Sequence, residues 1–281
     1  MESLVTDNPR MRTTASGRWG EIRVGNLAVK LASTQREIEA AQSLRYRIFY
    51  EEMGGKPSAE ERALKRDFDM FDAHCDHLLV LDYDLADPWR RVVGTYRLLT
   101  RSAARAPGKF YSESEFDIAA IKREKGEILE LGRSCVDAGY RNRAVMQLLW
   151  RGIAAYVSQH DIKLMFGCAS FAGNDVKTHA LPLSYLHHYH MAPVAMRAEA
   201  LADQYVEMNL MAKDSIEPKE AFAALPTLIK GYLRVGGYIG HGAVIDRHCN
   251  TIDVGVVVKT ELVAEKYALR YSTPTTAKDD E

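Results

Sequence analysis

The residue types that could do chemistry in this 281-residue chain are arginines and carboxylates set at short intervals beside apolar runs. Arg45 precedes Phe49 by four residues, one turn of a helix. Asp67, Asp69 and Asp72 crowd the segment RDFDMFDAHCDH. Arg97 interrupts VVGTYRLL, and Glu130 and Arg133 interrupt ILELGRSCV. In a regular strand, alternation sends Ile128, Glu130 and Gly132 to one face and Leu129, Leu131 and Arg133 to the other. A bulge at Gly132 would turn Glu130 and Arg133 toward one cleft and release backbone N–H groups for a substrate carbonyl.

Each feature also has a plainer reading. An acidic cluster ahead of a strand is ordinarily a solvated turn. A lone charge in a strand is more often a surface or ion-pair residue than a catalyst. His74, Cys75 and His77 are metal-binding types, as are His187, His188 and His190, but neither group has a companion pair at metal-site spacing. Taken singly, none of these residues identifies an activity.

The elements that must hold them follow from periodicity. NLAVKLA (26–32) reads as a strand, and Ser33 or Thr34 caps a helix to about Glu52 with Ile38, Ala41, Leu44 and Ile48 along one stripe. HLLVLDYD (77–84) and the branched run ending at Thr100 form a hairpin turning near Asp87-Pro88. EILELGRSCV (127–136) is a strand, 141–160 a helix, 162–171 a buried strand, and about Asn174 to His187 a helix. Strands at 195–200 and 204–210 precede a second-looking unit: a helix over 219–233, two Gly-rich strands between 235 and 258, and a last helix near 260–270. This order predicts an α/β (α+β) chain with a mixed central sheet flanked by helices. Residues 1–26 read as a flexible polar arm, 27–213 as the core, 214–272 as a C-terminal α/β extension packed on it, and 273–281 as a polar tail.

Composition bounds the class. The chain is 47% hydrophobic and 27% charged, with 37 basic and 38 acidic residues, which excludes disorder and collagen-like or disulfide-dense scaffolds. A net charge of −1 argues against a dedicated nucleic-acid binder. Cys75, Cys135, Cys168 and Cys249 are scattered like free thiols of a reducing cytosol. The first 22 residues lack the apolar core of a secretory signal, and Arg151 and Arg234 break the longest apolar runs. The expectation is a cytoplasmic protein that meets the inner membrane only peripherally.

The order LRYRIF, DFDMFD, GTYRLLT, LELGRSCV resembles the acyl-homoserine-lactone (autoinducer) synthases. There an Arg and a Phe four apart precede paired acids three apart, a strand Arg and a Glu-x-x-Arg. The matching positions are Arg45 and Phe49, Asp69 and Asp72, Arg97, and Glu130 with Arg133. Those enzymes are GNAT-superfamily N-acyltransferases that take acyl groups from acyl carrier protein. Longer blocks, LRYRIFYEEMGG, ELGRSCVDAGYRNRAVMQLLWRGIAAY, FGCASF and LIKGYLRVGGYIGHGAVIDRHCNTIDVGVVV, are similar to the bacterial L-ornithine N-alpha-acyltransferases, the OlsB-type, formerly "hemolysin-like", family. That similarity runs over about 27–272, and its C-terminal block separates this family from the autoinducer synthases.

The resemblance implies a GNAT-like fold and transfer of a 3-hydroxyacyl group from acyl carrier protein to the alpha-amine of L-ornithine, giving lyso-ornithine lipid. It implies Glu130 as the base. Arg45, Arg97 and Arg133, with Phe49, would bind substrate, and Asp69 and Asp72 would face its ammonium end. Backbone N–H groups near Gly132, Ser134 and Cys135 would hold the oxyanion. The glycine-rich pyrophosphate loop of coenzyme-A-using relatives is here Arg141-Asn-Arg-Ala-Val-Met146, which favours the single phosphodiester of phosphopantetheine, aided by Arg141 and Arg143. No metal or redox cofactor is expected, and acyl carrier protein serves as donor and partner. Between Trp89 and Lys109 there is no acidic residue, so Arg101, Arg105 and Lys109 are the expected docking face for that acidic protein. The alternatives are acylation of glycine, lysine or glutamine, an autoinducer synthase, and a non-catalytic membrane-peripheral module.

Overall fold

The periodicities become elements in the computed structural model, which describes residues 20–261. Strands β1 (Ile22–Val24) and β2 (Leu27–Leu31) lead into α1 (Gln35–Tyr46). Thr34 caps α1 by accepting from the Glu37 N–H. The helix then widens into a π-helical turn, Arg47–Glu52, a departure often found at functional sites. Next come α2 (Ala59–Leu64), β3 (Asp76–Asp82), β4 (Val92–Thr100), α3 (Arg101–Ala104), β5 (Phe116–Asp117), α4 (Ala119–Lys122) and β6 (Glu127–Val136). The second half carries α5 (Arg143–Gln159), β7 (Ile162–Ala172), α6 (Ala180–His190), β8 (Glu199–Ala200), β9 (Tyr205–Val206), α7 (Pro218–Ala224), α8 (Thr227–Arg234), β10 (Tyr238–Asp246) and β11 (Thr251–Lys259).

Three local expectations are corrected. The polar arm contains β1, whose Ile22 is buried against the core; residues 1–19 lie outside the described part. The helix expected over 219–233 breaks at Pro226, which lacks the N–H to continue α7, and restarts as α8. Only Glu199–Ala200 of the strand expected at 195–200 pairs. The helix expected near 260–270 and the tail fall almost wholly outside the described residues. Among these residues no helix is long and apolar enough to cross a membrane.

One sheet, in the order β1-β2-β3-β4-β6-β7-β11-β10-β8-β5 with β9 beside β10, runs through the molecule. Residues 214–261 do not stand apart from it: β11 pairs with β7 along Thr251–Lys259. The physical reason is the composition of β11, buried from Thr251 to Val258, whose apolar faces and backbone need partners on both edges. The β3 residues show the layering. Leu78 and Val80 pack with Val145, Leu148, Leu149 and Ile153 of α5, while Leu79 and Leu81 pack with Ala40, Ala41, Leu44 and Ile48 of α1 and its π-turn. Each such fully buried branched side chain contributes about 1.5–3 kcal/mol.

The feature that positions the site is a parting of strands. β6 and β7 run parallel and pair from Glu127↔Ile162 to Glu130↔Phe166, and then no further. Beyond that point β6 follows β4 and β7 follows β11. Gly167 sits at the fork, where a Cβ would collide with the Leu131 carbonyl oxygen. Gly167→Ala is therefore expected to lower stability by about 1–3 kcal/mol or more, as overpacking against backbone does. A urea melt checks this, and an unchanged midpoint would show that the fork tolerates widening.

Candidate active site

The bulge expected at Gly132 occurs one residue later. Arg97 pairs with Gly132 and Thr95 with Cys135, so Arg133 and Ser134 together oppose Tyr96. The left-handed backbone falls on Arg133, with φ 47°, not on a glycine. A non-glycine held there costs on the order of 1 kcal/mol and marks a position where side-chain direction matters. Its effect is to bring Arg133 onto the face that Arg97 and Glu130 already share.

On that face the arginines and aspartates neutralise one another. Arg45 Nε donates to Asp67 Oδ2 at 2.6 Å, Nη1 to Asp72 Oδ1 at 2.7 Å, and Nη2 to Asp72 Oδ2 at 3.0 Å. Arg97 Nη1 donates to Asp69 Oδ1 at 2.6 Å and Asp72 Oδ2 at 3.3 Å. Arg133 Nη2 reaches Asp69 Oδ2 at 3.4 Å, and its Nε lies 3.3 Å from Asp67 Oδ2. Burial opposes the Arg45 charge, but Asp67 and Asp72 outweigh it and raise the guanidinium's pKa. Burial likewise opposes the two carboxylates, yet Arg45 holds both below the ordinary range, aided by Arg133 for Asp67 and by Arg97 for Asp72. Asp69 and Asp72, singled out for a substrate ammonium, are thus already engaged by arginine. Asp67, at 1% exposure the most buried of the three, completes the lattice.

Glu130 lies beside the lattice with a different set of partners. Its Oε2 accepts the Tyr111 N–H at 2.9 Å, and its Oε1 accepts the Ser112 N–H at 2.7 Å and the Ser112 hydroxyl at 2.5 Å. Burial pushes its pKa up, against the pull of those donors and of Arg97. A carboxyl so placed can hold or release a proton nearer neutrality than a surface glutamate.

Where β6 and β7 part, a cavity of about 410 Å³ opens. Its walls bring together Phe49, Glu130, Gly132, Arg133, Ser134, Cys135 and Arg141 of the residues named from sequence. Arg45, Asp69, Asp72 and Arg97 stand outside that lining, as the charge lattice in contact with Arg133. Arg141 is exposed and pairs with Glu52 at 2.6 Å. Arg143, Arg105 and Lys109 are exposed away from the cavity. Arg101 is half-buried and donates to the carbonyls of Lys122 and Glu124. His77 is buried and bonds through Nε2 to the Asp72 carbonyl, a structural partner.

Sequence reading missed the opposite wall. Thr251 and Asp253 of β11 and Asp246 of β10 line the cavity, and Glu115 reaches the same place from the loop ahead of β5. One signal was available: Asp253 interrupts the apolar run from Ile252 to Val258, on the alternate face from Ile252 and Val254. Nothing local ties Glu115 or Ser112 to it.

An acetyltransferase (GNAT) domain family model matches residues 44–151. The L-ornithine N(alpha)-acyltransferase of Agrobacterium fabrum is 45% identical over 273 residues, covering 96% of this chain and 93% of that protein. The protein of the same name from Brucella abortus is 45% identical over 252 residues, covering 89% and 90%. Among solved structures, an N-acyl amino acid synthase from uncultured soil microbes covers 88% of this chain and 98% of its own, at 10% identity and a TM-score of 0.48. With chain-long identity to curated relatives and a GNAT domain spanning the lattice, the bulge and the first half of α5, this protein belongs to the L-ornithine N(alpha)-acyltransferase family.

Proposed function

We propose that the chain transfers a 3-hydroxyacyl group from the phosphopantetheine thioester of acyl carrier protein to the α-amine of L-ornithine, giving lyso-ornithine lipid, the first step of ornithine lipid synthesis. The names of the relatives support the acceptor. The observation that carries the chemistry is the cavity at the parting of β6 and β7, with Glu130 and Arg133 on its wall.

An ammonium has no lone pair, so the α-amine must first lose a proton, and Glu130 takes it. The amine nitrogen then bonds to the thioester carbon. As the tetrahedral adduct collapses the C–S bond breaks, the nitrogen gives its second proton to the departing pantetheine thiolate, and Glu130 releases the first to solvent. Backbone N–H groups of the bulge at Arg133 and Ser134 face the developing oxyanion. Arg133, whose Nε makes no hydrogen bond of good geometry, takes the acceptor's carboxylate. Transfer of this kind asks for no resident metal or redox cofactor.

The start of α5 supports a phosphopantetheine donor. The Asn142 side chain already accepts the N–H groups of Ala144 and Val145, so little of that helix end is left for a pyrophosphate, while Arg141 and Arg143 flank it for a single phosphodiester. For donor docking, Arg105 and Lys109 are the exposed positions to test, since Arg101 is tied to backbone. Reversing both charges is expected to raise the Michaelis constant for acyl carrier protein about tenfold at low salt, with the difference shrinking as salt screens it. An unchanged constant at low salt would remove this docking face.

The activity is tested by incubating the protein with 3-hydroxymyristoyl-acyl carrier protein and each amino acid, and reading products by mass spectrometry. Acylated ornithine should dominate; its absence, or excess of another product, overturns the assignment. Peripheral contact with the inner membrane follows from an amphiphilic product, and co-sedimentation with anionic vesicles tests it.

A further inference from the structure

The cavity wall opposite Arg133 gathers buried carboxyl groups with no basic side chain paired to them among the described residues. Carboxylate oxygens of Glu115, Asp246 and Asp253 all lie within 4.8 Å of one another. Glu115 is 6% and Asp253 5% exposed. Among the described residues no Lys, Arg or His forms an ion pair with any of the three; Arg133 is engaged by Asp67 and Asp69. Asp246 Oδ1 accepts the N–H groups of His248 and Cys249, which fixes its carboxyl at the end of β10.

A second observation points to a ligand. Thr251, 1% exposed and lining the same cavity, has an Oγ1 without a well-formed hydrogen bond, and so do Glu115 Oε2 and Asp253 Oδ1. Buried polar atoms are almost always satisfied. The Thr251 and Ser170 hydroxyls reach toward Asp253 and the Cys168 thiol toward Glu115, yet Glu115 Oε2 and Asp253 Oδ1 are left short of a well-formed partner, so the trio keeps acceptor capacity for a donor that arrives from outside. Burial and mutual repulsion push Glu115 up to about 8 and Asp253 up to about 6, the direction expected where a cation is missing.

We propose that Glu115, Asp246 and Asp253 seat the side-chain ammonium of a diamino acid acceptor, and so select it over neutral amino acids. This rests on the acyltransferase reading above and adds to it the origin of acceptor choice. An ammonium offers three N–H donors; with hydrogen bonds of about 2.8 Å at tetrahedral angles, its acceptors stand about 4.6 Å apart, inside the limit observed. A hard divalent cation would draw six or more oxygens to about 2.1–2.4 Å. The placement also suits an acceptor with its reacting end elsewhere. Along β7, Phe166 marks the register of Glu130 and Ser170 that of Asp253, with Cys168 between them. The Cys168 thiol lies 3.6 Å from Ser112 Oγ, which holds Glu130, and bonds the Glu115 carboxyl as well. One end of the acceptor thus meets Glu130 and Arg133, and the other meets the trio.

The test uses the full chain with 3-hydroxymyristoyl-acyl carrier protein and two acceptors, L-ornithine and L-norvaline, which has the same carbon skeleton without the terminal amine. Asp253→Asn, Glu115→Gln and Asp246→Asn are each expected to raise the ornithine KM about 10- to 100-fold, the range for a hydrogen bond to a charged group. The loss should lie in KM more than in kcat, and the preference for ornithine over norvaline should shrink by the same factor. Asp246 is half-buried, so Asp246→Asn decides the matter should either buried variant fail to fold. An ornithine KM within twofold of wild type overturns the proposal. So does a loss confined to kcat for both acceptors, or a dependence of ornithine binding on calcium or magnesium that EDTA abolishes. If wild type acylates no ornithine, the acyltransferase reading itself fails; if it does and the variants keep their KM, only this inference fails.

Discussion

Glu130→Gln is expected to lower kcat by about 10²–10⁴, the contribution of a positioned general base. The side chain is 4% exposed and lies on the cavity wall, so no bulk water replaces it directly. Because burial raises its pKa, wild-type kcat/KM should fall on the acid side as pH drops through that raised value, where the carboxyl gains a proton and ceases to act as a base. Glutamine cannot titrate, so the residual activity should lack this limb. The substitution also has a local cost. Its oxygen can still accept from Ser112, but its NH₂ faces the Tyr111 N–H, donor against donor. Ser112→Ala separates the two effects. It removes the hydroxyl bond that pulls the Glu130 pKa down, so the acid limb should move to higher pH while the carboxyl remains. A pH–rate profile of the three proteins checks this; an unmoved limb in Ser112→Ala would assign it to another group.

The largest loss of stability should come from Arg45→Met. Arg45 is 1% exposed and bonds two carboxylates from three nitrogens. Its removal leaves Asp67 and Asp72 buried with one fewer cation, and breaking a buried pair from one side typically costs about 3–5 kcal/mol. Arg45→Lys keeps the charge but not the planar fork, and should fall between. The pH dependence has a definite sign. Asp67 and Asp72 are held below the ordinary carboxylate range when folded, so the unfolded chain binds more protons. Their stabilisation is present above the unfolded carboxylate pKa, about 4, and is lost as pH falls through the depressed folded values. Urea midpoints taken from neutral pH downward should therefore decline more in wild type than in Arg45→Met. Parallel declines would mean that the aspartates draw their low pKa from other partners.

Much of the fold was legible because its signals are local. The stripe on α5 and the boundaries of β6, 127–136, follow from spacing and branched residues within one segment. Pro226, which divides α7 from α8, is an equally local signal of a helix break. The π-turn was not legible, since its stripe reads as a continued α-helix. For the site, the resemblance brought out Arg45, Asp69, Asp72, Arg97, Glu130 and Arg133, and folding gathers all six onto one face. Their division of labour was beyond reach. Asp69 and Asp72 read as free acids in sequence because the arginines that neutralise them lie 25 to 28 residues away or further.

The order of residue types along the chain sufficed for the family, the mixed sheet and the presence of a carboxylate and an arginine on β6. Segment-scale hydrophobic pattern and motif spacing carry that information, because both are written in neighbouring residues. The direction of Arg133, the point where β6 leaves β7, and the meeting of Glu115 with Asp246 and Asp253 came from folding alone. Strand register and sheet order set them, and a single residue of slip at the bulge changes which face a charge meets. Burial then turns that geometry into chemistry. The same aspartate that would be unremarkable in water is held ionised beside Arg45 and pushed toward protonation at position 253.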